Sequence, residues 1–91
     1  MELLPDALRA RIPALYAQDE SPDPIAHIKY TNSQTGWIWY VTEFDGTDIF
    51  FGLVQGFEEE LGYFSLTELT ANEVQRDLNF MPTPLSQLRS P

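Results

Sequence analysis

Three carboxylates gather about one turn in this sequence: Glu43, Asp45 and Asp48. Paired acids can share general acid and base work when one of them is desolvated, and several together can hold a divalent cation. Asp45-Gly46 lies between two runs of β-branched and aromatic residues, which favours a two-residue type I′ hairpin turn. In that register Glu43 opposes Asp48, Thr42 opposes Ile49 and Trp39 covers Gly52, so like charges meet at the exposed end of a ribbon. Three readings of the tip compete: a solvated turn, a contact surface for a basic protein, and a cation or catalytic site. The single histidine, His27, sits on a strand-like stretch with no partner at metal-ligand spacing, and it reads as structural. The chain has no cysteine, which excludes a disulfide framework, a thiolate zinc site and a cysteine nucleophile. No Gly-x-Ser-x-Gly elbow is present, and Gly52-x-x-x-Gly56 lacks the Lys-Ser or Lys-Thr of a phosphate loop. A non-enzymatic protein without a cofactor is expected, with a metal-dependent hydrolase at Glu43, Asp45 and Asp48 as the enzymatic alternative.

Charge narrows the choice of partner. Fourteen acidic against five basic side chains leave a net charge of -9, and between Tyr30 and Gln75 there are eight acids and no lysine or arginine. Duplex DNA is bound by cations that displace counterions, so direct nucleic-acid binding is not expected. Trp37, Trp39, Tyr40, Phe50 and Phe51 then read as core rather than as a stacking platform. An acidic field favours a basic protein, with Glu43, Asp45, Asp48, Glu58 and Glu59 as its contacts and Tyr40, if exposed, as a rigid recognition side chain. Two further readings are an inhibitor that mimics the DNA backbone and a passive accessory domain whose acidity serves solubility alone. No run approaches 18 apolar residues and the start lacks the basic residues of a signal peptide, so a cytoplasmic protein away from membranes is expected.

These residues must be positioned by a small fold. With 91 residues, 43% hydrophobic, the chain can bury one core, and a single domain over 1–91 is expected. Leu4, Leu8, Ile12 and Leu15 form one stripe and predict an amphipathic helix from Leu3 to Ala17, broken near Pro13 and packed on a sheet. Asp19 to Pro24 reads as a linker. Ile25 to Thr31, Trp37 to Phe44 and the run after the turn read as strands, followed by a solvated acidic turn at Glu58-Glu59-Glu60 and a short strand at Leu61 to Phe64. One hairpin face carries Trp37, Trp39, Val41, Phe50 and Val54, and the other Ile38, Tyr40, Phe44, Ile49, Phe51 and Leu53. Since both faces are apolar, each must be covered, or one must serve a partner or a second copy in a homodimer. Ser65 and Glu68 have capping-box spacing and predict a helix from Leu66 to about Ala71. Val74, Leu78 and Phe80 define one face of a last edge strand; Thr83 and Pro84 start a final turn pinned by Leu85 and Leu88. The fold class is α+β, with an antiparallel sheet of four or five strands.

Several strings of residues resemble a known family. They are Leu8-Arg9-Ala10-Arg11-Ile12-Pro13, Trp37-Ile38-Trp39-Tyr40-Val41-Thr42-Glu43, Phe50-Phe51-Gly52-Leu53-Val54 and Glu60-Leu61-Gly62-Tyr63-Phe64-Ser65-Leu66, with Asp23-Pro24-Ile25 and Arg76-Asp77-Leu78 between and after them. In order along nearly the whole chain they resemble the small bacterial family of domain of unknown function 2958. The resemblance implies no activity and transfers no catalytic residue. Members often lie on plasmids and other mobile elements, sometimes near antirestriction genes. This implies a role in mobile-element maintenance or in evading host defence, for example by inhibiting a host nucleic-acid-binding or defence protein.

Overall fold

The structure, a computed structural model, describes residues 1–90. β-branched and aromatic residues crowd the stretch from Ile28 to Phe64, and that stretch forms antiparallel strands. In chain order the elements are α1 (Asp6–Arg9), β1 (Ile25–Ala26), β2 (Ile28–Thr31), β3 (Ile38–Phe44), β4 (Ile49–Gln55), β5 (Glu59–Ser65), α2 (Leu66–Ala71), β6 (Gln75–Arg76) and β7 (Thr83–Pro84), followed by a 3-10 turn at Leu85–Gln87. Five strands make one antiparallel sheet in the order β5-β4-β3-β2-β6, and β1 pairs separately with β7. The molecule is mostly sheet with few helical residues. No helix among the described residues is long and apolar enough to cross a membrane.

The N-terminal helix is shorter than its apolar stripe predicts. Only Asp6–Arg9 is helical, because Pro5 opens the turn, Pro13 forbids continuation, and Ala14 instead bridges to Phe44 beside β3. The stripe still meets apolar surface: Leu4 is buried in the core, and Leu3, Leu8 and Ile12 lie against it. Tyr30 ties this segment down, its hydroxyl donating to the Leu3 carbonyl at 2.6 Å.

The β3–β4 hairpin departs from the two-residue turn. One carboxylate oxygen of Asp45 accepts the backbone N–H groups of Thr47, Asp48 and Ile49 at 2.8, 2.8 and 3.0 Å. Three amides on one carboxylate organise a four-residue loop, Asp45 to Asp48, in which only Gly46 adopts positive φ, at 93°. A type I′ turn needs positive φ at both central residues, so the aspartate's own hydrogen bonds displace it. Phe44 therefore pairs with Phe50 and Glu43 with Phe51, and a bulge at Thr42 resets the ladder to Val41–Gly52, Tyr40–Leu53 and Trp39–Val54. The bulge also turns Phe44 onto the face of Val41 and Phe50.

Both sheet faces are covered over β2 and β3. Ile28, Tyr30, Val41, Phe44, Phe50 and Phe64 form the larger core with Leu4, Leu69 and Val74. Ala26, Tyr40 and Leu53 form the smaller core on the other face, closed by Leu85 with Phe80 and Leu88. α2 spans the predicted residues, and its cap forms as expected, with the Ser65 hydroxyl accepting the Glu68 N–H at 3.0 Å. The last strand keeps only Gln75–Arg76 at the sheet edge, and Leu78 stays exposed. Asp23 reaches across to the 3-10 turn, taking the Ser86 N–H at 2.9 Å and its hydroxyl at 2.6 Å. Glu59 and Glu60 lie within β5, paired with Gln55 and Val54, rather than in a turn.

Candidate functional site

The predicted acidic tip does not assemble. Glu43 is 4% exposed and turned into the body, where its carboxylate accepts the N–H groups of Tyr16 and Gln18 at 2.9 and 2.7 Å. Tyr16 holds positive φ, 71°, so the buried charge fixes a backbone conformation that a tyrosine seldom adopts. Gln18 completes the clamp, donating to the carbonyls of Ile25 and Thr42 and accepting the Ile25 N–H. Asp48 is bound to α2: its carboxylate takes both the N–H and the hydroxyl of Thr67, at 2.9 and 2.8 Å. Asp45 is exposed, and its three backbone amides hold its carboxyl below the usual carboxylate range. Each acid serves a segment of backbone, and no three acidic or histidine side chains among the described residues group as metal ligands would.

Tyr40 takes the core position expected of it, which removes the recognition role it would have had if exposed. It is 5% exposed in the smaller core, with its ring 5.8 Å from that of Phe80 and the Lys29 ammonium 5.9 Å from its centroid. Burial, followed by the charges of Asp77 and Glu59, pushes its phenol above the ordinary range. His27, half-buried between β1 and β2, donates its backbone N–H to Val41, and burial lowers its imidazole pKa. Glu59 accepts the Ser90 N–H and the Gln55 amide, which holds its carboxyl low. Glu58 lies at the far end of β4 from Asp45 and Asp48, so the six predicted contacts do not form one surface.

A different surface does form around Trp37. A groove of about 460 Å³ runs from Trp37 and Val54 across Gly62 to the β5 residues Leu61 and Tyr63. The Trp37 indole lies over Gly56, where a Cβ would sit 2.6 Å from the ring; the tryptophan and glycine that pair are thus Trp37 and Gly56, not Trp39 and Gly52. Phe57 stands 96% exposed with its ring edge-on to Trp37 at 5.3 Å, and Trp39 is 5.9 Å away on the other side. Glu58 and Glu60 rim the groove, and neither carboxylate has a hydrogen-bond or ion partner among the described residues. A second groove of about 280 Å³ lies beyond Trp37, with Trp39, Asn32 and Glu68 in its walls.

This arrangement suits a cation. Aromatic faces attract lysine and arginine through their quadrupole, and unpaired carboxylates at the rim add a charge-assisted hydrogen bond. Leu61 and Tyr63, 46% and 58% exposed, extend the apolar surface over the sheet edge, where Tyr63 lies 4.9 Å from Phe51 and contacts Tyr16. The sequence held two signals for this surface: one is Phe57, which stands between Gly56 and three glutamates, where an aromatic side chain has no core to enter. Gly62, inside a strand of otherwise large residues, was the other.

No curated protein and no solved structure matches the chain. A family model does match, over residues 3–88, and it is described as protein of unknown function (DUF2958). With nearly its whole length aligned to that model, the chain belongs to the DUF2958 family.

Proposed function

We propose that this protein is a non-enzymatic, acidic protein-interaction module that binds a basic protein through the Trp37 groove. One observation carries the reading: a fully exposed phenylalanine and a half-buried tryptophan flank a groove whose rim acids have no partner. Apolar aromatic surface of this kind supplies interface anchors, and rim charge sets orientation and encounter rate. Arg9 lies over Phe44, Lys29 beside Asp77 and Arg76 on the Glu2 carbonyl, while Arg89 stands near Glu59 and makes no ion pair with Glu58 or Glu60 among the described residues. Within this reading, the partner suggested by the family resemblance is a host nucleic-acid-binding or defence protein, whose basic surface would supply the complementary charge.

The test is affinity purification from the native host at low salt, using wild type and the double variant Glu58→Lys with Glu60→Lys. Both substitutions are on exposed side chains, so the fold should persist. A stoichiometric basic protein should accompany wild type, leave as salt is raised, and be absent from the variant. Recovery of the bait alone, or capture that ignores the two charge reversals, overturns the proposal.

A further inference from the structure

We propose that the outer edge of β5 takes up an extended segment of the basic partner as a sixth strand of the sheet, with alternate arginine or lysine side chains entering the Trp37 groove. The proposal rests on the protein-binding reading above and specifies its mode. Antiparallel ladders alternate between residues that bond inward and residues that bond outward. The β4–β5 pairing is flanked by bonds from Gly56 N–H to the Glu58 carbonyl and from Leu66 N–H to the Asp48 carbonyl. Counting in twos from either end, Glu60, Gly62 and Phe64 bond to β4, and Leu61 and Tyr63 direct their N–H and C=O groups away from the sheet. No backbone or side-chain group among the described residues bonds to those outward groups.

Proteins usually protect such an edge with charged side chains, above all lysine, or with proline, a bulge or a short strand. β5 runs seven residues in continuous register without lysine, proline or a bulge, and its two charges, Glu59 and Glu60, stand at its first two positions, ahead of Leu61 and Tyr63. The opposite edge, β6, is only two residues long. The groove opens on the side of the sheet that carries Glu60 and Gly62, immediately beside the free edge. A Cβ at Gly62 would meet nothing within 4 Å, and its φ is not positive, so neither close packing nor a turn requires glycine there. The missing side chain instead leaves room for one from an added strand, whose period of two would aim every second residue at the groove. Charge selects the occupant. Glu58 and Glu60 favour a basic segment, whereas β5 of a second copy, paired antiparallel, would put Leu66 and Phe64 opposite them and, having no lysine or arginine, would bring no cation to the groove.

The probe is an acetylated octapeptide alternating arginine and valine, titrated into the full chain and followed by amide chemical shifts and tryptophan fluorescence. Saturable shifts are expected at Leu61 and Tyr63, with fluorescence change lost in Trp37→Phe. Two N-methylated versions of the peptide, blocked at odd or at even residues, should separate, one losing at least about tenfold in affinity and the other retaining it, because only every second amide faces the edge. Leu61→Pro removes an outward N–H without touching the β4 ladder and should lose about tenfold, whereas Leu61→Thr loses little. Equal binding by both methylated peptides overturns strand addition even if Leu61→Pro fails to fold. Absence of octapeptide binding by a protein that still captures its basic partner overturns strand addition alone. Loss of both overturns the protein-binding reading beneath it. Dimerisation abolished by Leu61→Pro assigns the edge to a second copy and overturns the basic occupant.

Discussion

Glu43 shows how one side chain's surroundings reverse its meaning. In the sequence it is one of three acids at a turn; in the fold it is the buried acceptor that holds Tyr16 and Gln18. Removing it would leave two amides and a left-handed tyrosine unsupported, so Glu43→Ala should lower the unfolding free energy by about 3 kcal/mol in urea titration. The charge reversal that would best probe an exposed tip would here unfold the segment instead. Asp45 gives a pH prediction with a definite sign. Its folded pKa is depressed by three backbone amides, so its stabilisation is complete above the unfolded carboxylate pKa of about 4 and is lost as pH falls through the lower folded value. The urea midpoint of wild type should exceed that of Asp45→Asn by a constant margin from about pH 8 to 5, and the margin should close below about pH 4. A margin that widened in acid would contradict the assignment.

Two glycines of the central hairpin and its neighbour make opposite predictions at the scale of the element. A Cβ on Gly52 would lie 1.8 Å from the Tyr40 carbonyl oxygen, which is backbone and cannot swing away. Gly52→Ala should therefore cost about 3 kcal/mol or prevent folding. Gly62 faces open space, and a β-branched residue suits a strand better than glycine, so Gly62→Val should be neutral or stabilise by about 0.5–1 kcal/mol while filling the groove. Thermal unfolding and octapeptide binding measured on the same variant then separate folding from recognition. The cap of α2 offers a calibration: Ser65→Ala removes the acceptor of the Glu68 N–H and should cost about 1 kcal/mol. Local signals of this kind, a capping box or an apolar run, were legible because the groups involved are neighbours in the chain. The hairpin register was not, because a side chain that bonds its own turn competes with the backbone preference of the same two residues.

At the scale of the whole molecule, charge and topology act together. A net charge of -9 with every cation outside residues 31 to 75 gives the β4–β5 end an excess of negative charge, which Arg89 beside Glu59 offsets only in part. Association with a basic partner should slow by about tenfold or more between low salt and about 0.5 M, with a smaller change in dissociation, as stopped-flow fluorescence from Trp37 would show. The N-terminal and C-terminal segments cover the two faces over β2 and β3 and touch β5 through side chains, Tyr16 at Tyr63 and Ser90 at Glu59, without bonding its outward backbone groups. What remains uncovered is therefore an edge and the groove beside it, not a complete face.

The sequence by itself determined the family, the antiparallel sheet, the span of α2 and its cap, and the acidity on which the proposed basic partner rests. Each follows from residue types in order, or from bonds between residues a few positions apart. Only the tertiary structure decided that Glu43 is buried, that Asp48 belongs to α2, and that Trp37, Phe57, Glu60 and Gly62 share one surface. Those facts rest on a bulge at Thr42, on a loop shaped by Asp45, and on which edge of the sheet the terminal segments leave free. A one-residue change in strand register exchanges the two faces of a ribbon that is apolar on both, and no pattern of hydrophobicity along such a ribbon can tell the faces apart.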